Sequence, residues 1–158
     1  MGAVDYRLYL VTDRALARGR AMADIVRAAV AGGVTCVQVR EKNVGTREFL
    51  DEARAVQAAL RGTGVPLIVN DRVDVALAVG AEGVHLGQGD MALADARRLG
   101  PPGWIIGVSA ESVDDAVRAE RDSADYVGVS PVFATPTKPD PAAPLGLAGL
   151  RAIRAATK

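Results

Sequence analysis

The chain alternates between short apolar runs and longer amphipathic runs from Tyr6 onward, and this alternation constrains the fold more than any other feature. Short runs rich in Val, Ile, Leu or Tyr are typical of strands, whereas apolar residues three and four positions apart indicate helices. Repeated βα units of this kind build a parallel sheet covered by helices. The sequence therefore predicts an α/β fold.

The pattern predicts six strands and six helices. The strands are expected at residues 6–12, 34–40, 66–70, 83–86, 104–109 and 125–130. The helices are expected at residues 22–31, 46–61, 72–79, 93–99, 112–121 and 147–156. Thr46 and Ser112 are candidate N-caps, and Gly32, Gly62 and Gly80 stand where a left-handed residue commonly ends a helix.

Two architectures accommodate these βα units. The strand starts recur about every 24 residues, which is close to the spacing in the smallest (β/α)8 barrels, of ~200 residues. A doubly wound open sheet of six strands fits the length better, but it calls for a glycine-rich phosphate loop after the first strand. Thr12-Asp13-Arg14-Ala15 stands there instead. We therefore expect a TIM-type barrel of which about six units are present.

Length and composition predict one domain over residues 1–158 and exclude several classes of protein. Nineteen basic and nineteen acidic residues cancel, so no excess positive charge is available for nucleic acid. No apolar stretch is long enough to span a membrane. Cys36 is the single cysteine and lies in an apolar run, which favours a core position and a reducing compartment. We expect a cytoplasmic protein with small-molecule partners.

Polar residues gather where the predicted strands end, and in parallel βα folds this end carries the active site. The second strand ends in Gln38-Val39-Arg40-Glu41-Lys42. Period-two alternation puts Gln38, Arg40 and Lys42 on one face and Val39 on the other. A solvated strand end is the alternative, but an unpaired charge is costly on a strand buried on both faces.

Two carboxylates follow the third and fourth strands, at Asp71 and Asp90. Two such groups, together with waters and ligand phosphates, suit Mg²⁺, which takes few protein ligands. Helix N-capping is the alternative for both residues. His85 is the only histidine, and it serves equally well as a core residue or as an acid or base.

The fifth and sixth strands lead into candidate anion-binding segments. Ser109 precedes a predicted helix start and can donate to an anion there. Residues 131–138 place hydroxyl groups and Lys138 between prolines, which is either an anion cradle or an ordinary loop. Neither a Ser-His-Asp nor a Cys-His grouping stands out, so the sequence favours phosphate or pyrophosphate chemistry with a metal over nucleophilic hydrolysis.

Five segments in order resemble the thiamine phosphate synthase family over essentially the whole chain. They are residues 37–42 (VQVREK), 70–76 (NDRVDVA), 83–90 (GVHLGQGD), 106–109 (IGVS) and 131–138 (PVFATPTK). The resemblance implies a (β/α)8 barrel enzyme that joins hydroxymethylpyrimidine pyrophosphate to a thiazole phosphate with Mg²⁺, releasing pyrophosphate and making thiamine phosphate.

The resemblance also implies roles for individual residues. Mg²⁺ is expected on Asp71 and Asp90, and the catalytic set is expected to comprise Arg40, Lys42, Ser109 and Lys138. The pyrimidine pyrophosphate is expected to contact Gln38, Val39, Arg40, Glu41, Lys42, Asn70, Ser109 and Lys138. The thiazole phosphate is expected to contact Thr135, Pro136 and Thr137.

The chain departs from the family at two places. Glu111 stands where the family often has histidine, and the sequence stops at Lys158, before two further βα units. Three interpretations are open: a fragment, a short form completed by homo-oligomerisation or strand exchange, or a binding domain without turnover. A thiazole tautomerase-like relative is a further alternative, but retention of Gln38, Arg40, Lys42 and Lys138 argues against it.

Overall fold

The computed structural model describes residues 4–134 and 143–158, and it alternates strands with helices throughout. The strands are β1 (Tyr9–Val11), β2 (Cys36–Val39), β3 (Leu67–Asn70), β4 (Gly83–Leu86), β5 (Ile105–Ala110) and β6 (Tyr126–Val129). The helices are α1 (Arg14–Ala17), α2 (Met22–Ala31), α3 (Thr46–Leu60), α4 (Val73–Val79), α5 (Leu93–Leu99), α6 (Val113–Arg121) and α7 (Gly146–Ala156).

The sheet follows the order β1-β2-β3-β4-β5-β6, which is also the order of the strands in the sequence. A doubly wound sheet needs a point at which the strand order reverses, and this order contains none. The predicted α/β class with six barrel-type units is therefore confirmed, and the doubly wound alternative is wrong.

The described residues form two compact units. The first runs to His85 and adds Gly100–Ile105, whereas the second comprises Leu86–Leu99 and the residues from Ile106 onward. In the first unit α2 packs on α3, and α3 packs on α4. In the second unit α6 packs on α7.

The strands β2, β3 and β4 are buried along their whole length. They are nearly continuous apolar runs, as expected when helices cover a parallel sheet and every side chain leaves water. The parallel register places Val37 beside Leu67 and Val69 beside Val84. Each strand nevertheless carries one buried polar side chain: Gln38, Asn70 and His85, respectively.

The second unit has a smaller core of its own. Ala110, Ala116 and Ile153 are buried there against Val113, Val127, Val129 and Leu145. Ser112 is the N-cap of α6 as predicted, because its hydroxyl accepts from the Asp115 N–H at 3.1 Å. Its capping interaction fixes where the chain turns from β5 into α6.

Several local predictions differ from the structure. The expected first strand shrinks to Tyr9–Val11, and the four-residue α1 is too short to show a helical period. The N-cap of α3 is Gly45 and not the predicted Thr46, which is the first residue of the helix. The Thr46 hydroxyl accepts a hydrogen bond from the Arg72 guanidinium at 3.0 Å. Gly62 and Gly80 have the expected positive φ, but after α2 the positive φ falls on Gly33 and not on Gly32.

An ion cluster ties α1 to the segment after β2 and to α3 within the first unit. The Arg14 guanidinium contacts Glu41 at 3.0 Å, Glu48 at 2.7 Å and Glu52 at 2.8 Å. The side chain of Glu41 is 3% exposed, and the Oε1 atom of Glu52 is buried without a hydrogen-bond partner in the described part of the chain. Burial and the neighbouring Glu41 carboxyl raise the pKa of Glu52 to about 7.

No helix among the described residues is both long and apolar enough to cross a lipid bilayer.

Gly83 is expected to tolerate no side chain, because a Cβ atom there would lie 2.3 Å from the backbone oxygen of Ile105. We expect Gly83→Ala to lower the free energy of unfolding by about 1–3 kcal/mol, the usual range for overpacking. Gly89→Ala is the matched control, since a Cβ atom at Gly89 meets nothing within 4 Å. Urea unfolding of both variants tests this, and equal losses would contradict it.

Glu52 should make stability depend on pH. Its pKa is raised from 4.5 to about 7, so its contribution to stability is complete below the unfolded pKa and is lost as the pH rises through about 7. In Glu52→Gln a neutral amide of similar shape replaces the titrating group. We expect the Tm of the native chain to fall relative to that of this variant between about pH 5 and about pH 8.

The control for this experiment is Glu48→Gln, which changes a more exposed carboxylate of the same cluster. We expect it to keep the pH slope of the native chain. Parallel Tm profiles for Glu52→Gln and the native chain would contradict the assignment.

Candidate active site

In the first unit the buried polar side chains of β2 and β3 differ in how they are satisfied. The amide of Gln38 donates to the hydroxyl of Tyr9 at 2.9 Å. Asn70 is 6% exposed, and its Nδ2 atom has no hydrogen-bond partner in the described part of the chain. A buried donor without an acceptor costs about 1–3 kcal/mol. Asn70 therefore presents an unused N–H donor at the carboxyl end of β3.

The two predicted cations after β2 are both engaged with carboxylates. Lys42 forms a salt bridge with Asp71, and the Arg40 guanidinium lies 3.7 Å from the Asp13 carboxylate. The side chain of Lys42 is 48% exposed. Both cations are thus held near the strand ends, where an anion could share or replace their carboxylate partners.

Glu41 stands between these cations in sequence but has a different environment. Its carboxylate is buried and receives the Nε–H of Arg14 at 3.0 Å. The side chain of Glu41 is therefore committed to the ion cluster described above. The neighbouring Val39 is fully buried in β2.

Asp71 has an unusual backbone conformation at the end of β3. Its φ is +62°, in the left-handed region, and its N–H donates to the His85 oxygen at 2.8 Å. For a residue with a Cβ atom this conformation costs roughly 1–2 kcal/mol, although Asp and Asn adopt it more readily than most. Strain of this kind concentrates at functional sites.

N-capping does not account for Asp71 or for Asp90. Arg72, and not Asp71, is the N-cap of α4. Helix α5 begins at Leu93, three residues after Asp90. Asp90 instead closes a turn, because its carboxylate accepts from the Gly87 N–H at 2.6 Å. The capping alternative is therefore wrong for both residues.

In the second unit the turn after β4 is linked to the end of β5. The amide of Gln88 donates to the backbone oxygen of Ser109 at 2.6 Å. Gln88 and Asp90 line a cavity together with Val108 and Arg118. Two of the predicted site residues, Asp90 and Ser109, are thus joined through one short turn.

The remaining predicted contacts, Thr135, Pro136, Thr137 and Lys138, lie outside the described residues.

Cys36 is a core residue, as predicted. It is fully buried, and burial raises the pKa of its thiol to about 11. Only the thiolate is a strong nucleophile, so Cys36 offers no nucleophile at neutral pH. His85 is also largely buried in β4.

Sequence reasoning missed the part played by the first loop. Thr12, Asp13 and Arg14 all contact the residues that end β2. In the sequence these three residues stand out only as a departure from a glycine-rich phosphate loop. Their position at the carboxyl end of β1 was the signal that could have identified them.

Comparison with known proteins agrees with the resemblance seen in the sequence and with the fold. The family model described as thiamine monophosphate synthase matches residues 8–158. The thiamine-phosphate synthase of Albidiferax ferrireducens is 58% identical over 151 residues, which are 96% of this chain and 69% of that protein. The thiamine-phosphate synthase of Chloroflexus aurantiacus gives the same identity and coverage.

Solved structures extend the comparison. A thiamine phosphate pyrophosphorylase from Pyrococcus furiosus has a TM-score of 0.83 at 40% identity, covering 96% of this chain and 70% of that one. A putative dihydrodipicolinate synthetase from Pseudomonas aeruginosa has a TM-score of 0.58 at 17% identity, covering 78% of this chain and 46% of that one, and shares the fold alone. The match over residues 8–158 and the identity to these synthases place the chain in the thiamine monophosphate synthase family.

Proposed function

We propose that this chain is a transferase of thiamine biosynthesis that joins hydroxymethylpyrimidine pyrophosphate to a thiazole phosphate, giving thiamine phosphate and pyrophosphate. Relatives at 58% identity are named thiamine-phosphate synthase. The observation that carries the proposal is the end of β2 and β3, where Arg40 and Lys42 accompany the unused buried N–H of Asn70. Cations and a free amide donor suit an anionic phosphate ester.

The pyrimidine pyrophosphate is bound by the carboxyl ends of the central strands. Its diphosphate contacts Arg40, Lys42 and Lys138, and the donors of Asn70 and Ser109 complete its hydrogen bonds. Gln38 contacts the pyrimidine pyrophosphate beside Tyr9. Val39 and Glu41 form the rest of the contact surface at this end of β2. The thiazole phosphate is bound by Thr135, Pro136 and Thr137.

The reaction exchanges one bond for another. The bond between the pyrimidine methylene carbon and the pyrophosphate oxygen breaks, the methylene gains cationic character, and the thiazole nitrogen supplies the electron pair for the new bond. Negative charge builds on the departing pyrophosphate, and the positive charges of Arg40, Lys42 and Lys138 neutralise it. No protein nucleophile is required, in keeping with the buried thiol of Cys36.

The cofactor is Mg²⁺, with Asp71 and Asp90 each supplying a carboxylate. Mg²⁺ suits this donor set, because it binds through one or two carboxylates plus substrate phosphates and water. Among residues 4–134 and 143–158 no group of three or more His, Cys, Asp or Glu side chains could hold a metal ion. When bound, Mg²⁺ neutralises charge on the leaving pyrophosphate. A salt bridge with Lys42 orients the Asp71 carboxylate at the end of β3.

The enzyme acts as one domain over residues 1–158, in the cytoplasm, on small phosphorylated substrates. The single buried cysteine suits a reducing compartment. We include a homo-oligomer in this proposal, because pairing between copies would cover β1 and β6, the first and last strands of the sheet order.

The direct test is thiamine phosphate formation by the purified chain with both substrates and Mg²⁺. We expect product that disappears when EDTA is added, and light scattering on the same sample reports the oligomeric state. A folded chain that binds pyrophosphate but makes no product would overturn the synthase proposal in favour of a binding domain.

The metal assignment predicts the behaviour of Asp71→Asn and Asp90→Asn. Asn keeps the shape of Asp and tolerates the left-handed backbone at position 71, so both variants should fold. We expect calorimetry to show at least about a tenfold loss of Mg²⁺-dependent pyrophosphate affinity, or about 1.4 kcal/mol, in each variant.

Two comparisons sharpen this test. Asp24→Asn changes an exposed carboxylate paired with Arg27 on α2, and it should bind like the native chain. In EDTA, Asp71→Asn should bind pyrophosphate no more weakly than the native chain, because the substitution releases Lys42 from its carboxylate. Unchanged Mg²⁺ dependence in both site variants would remove the assignment.

A further inference from the structure

The loop after β1 makes a dense set of contacts with the end of β2. The Thr12 N–H donates to the Gln38 oxygen at 2.9 Å, and the Arg40 N–H donates to the Thr12 hydroxyl at 3.0 Å. Thr12 is only 3% exposed. These bonds hold the backbone on both sides of Val39, just before the chain leaves the sheet.

The next two residues, Asp13 and the first residue of α1, contact side chains of the same segment. Asp13 lies 3.7 Å from the Arg40 guanidinium, and its carboxylate also accepts from the Leu16 N–H at 3.0 Å, which fixes it as the N-cap of α1. Arg14 binds the buried carboxylate of Glu41. Asp13 and Arg14 thus contact two consecutive residues of the segment after β2, Arg40 and Glu41, respectively.

We propose that Arg14 is a positioning residue: by binding Glu41 it fixes the chain between Arg40 and Lys42, so that both cations are ordered before the diphosphate arrives. This inference rests on the proposed function and adds to it a residue outside the substrate and metal contacts assigned above. Preordered charge is more effective than charge that must be ordered during the reaction. Glu41 is the link, because it is the residue that joins Arg40 to Lys42.

Arginine is chemically suited to this task. Its guanidinium offers five N–H donors in a rigid plane, which lets one side chain serve the carboxylates of Glu41, Glu48 and Glu52 together. Two of these carboxylates come from α3, so Arg14 fixes Glu41 relative to a long helix as well as to its own loop. A lysine ammonium keeps the charge but not the planar fork.

The test is a double-mutant cycle on binding of inorganic pyrophosphate with Mg²⁺, measured by calorimetry. The four proteins are the native chain, Arg14→Gln, Arg40→Gln and the double variant. We expect Arg14→Gln to weaken binding about tenfold in the native background and less than about threefold in the Arg40→Gln background, since residues that act through one another are not additive.

Other outcomes overturn the inference. Equal factors in the two backgrounds would mean that Arg14 only supports folding, and an unchanged affinity would mean that it does not act on the site. Arg27→Gln removes an exposed arginine of α2 and should leave binding unchanged, which controls for the loss of one positive charge. Arg14→Lys should bind more weakly than the native chain, whereas full recovery would show that charge alone matters.

Two further results separate this inference from the proposed function. A native chain that binds no pyrophosphate overturns both, whereas native binding that Arg14→Gln leaves intact overturns the inference alone. Should Arg14→Gln fail to fold, Glu41→Gln breaks the same contact from the other side with a side chain of the same size. The same non-additivity with Arg40→Gln is then expected, and additive losses would overturn the inference.

Discussion

Complete burial of the central strands is the constraint on which the rest of this structure depends. Every residue of strands β2, β3 and β4 is buried, so any polar side chain on them must find a partner or serve a ligand. Gln38 finds Tyr9, whereas the Asn70 amide has an N–H to spare. A polar side chain within these apolar strands therefore indicates either a structural hydrogen bond, as for Gln38, or a donor available to a ligand, as for Asn70.

The residues beyond the strand ends are organised by charge. Arg40 and Lys42 rest against Asp13 and Asp71, and Glu41 rests against Arg14. Alternating signs along this short segment keep it ordered without burying an unpaired charge. The segment that we assign to pyrophosphate binding therefore has its shape before any anion is present.

The sequence was sufficient to predict elements whose pattern is local. The bounds of β4, α2 and α5 agree residue for residue, because apolar periodicity and flanking glycines define them. Helix α1 escaped detection because four residues hold barely one turn. Arg14 escaped for another reason: its partners lie 27 and 38 residues away along the chain, and only the fold brings them together. Local patterns locate site residues, but they do not reveal which distant residues hold them.

The left-handed backbone of Asp71 sets two requirements against each other at one position. Glycine would relax this conformation but remove the carboxylate, and most other side chains would keep neither the geometry nor the charge. Asparagine would keep the backbone geometry without the charge, so aspartate meets both requirements of the carboxylate role that we propose at this turn. With the metal role that we propose for Asp71, variation at position 71 among related chains would separate those that retain the synthase reaction from those that retain only its scaffold.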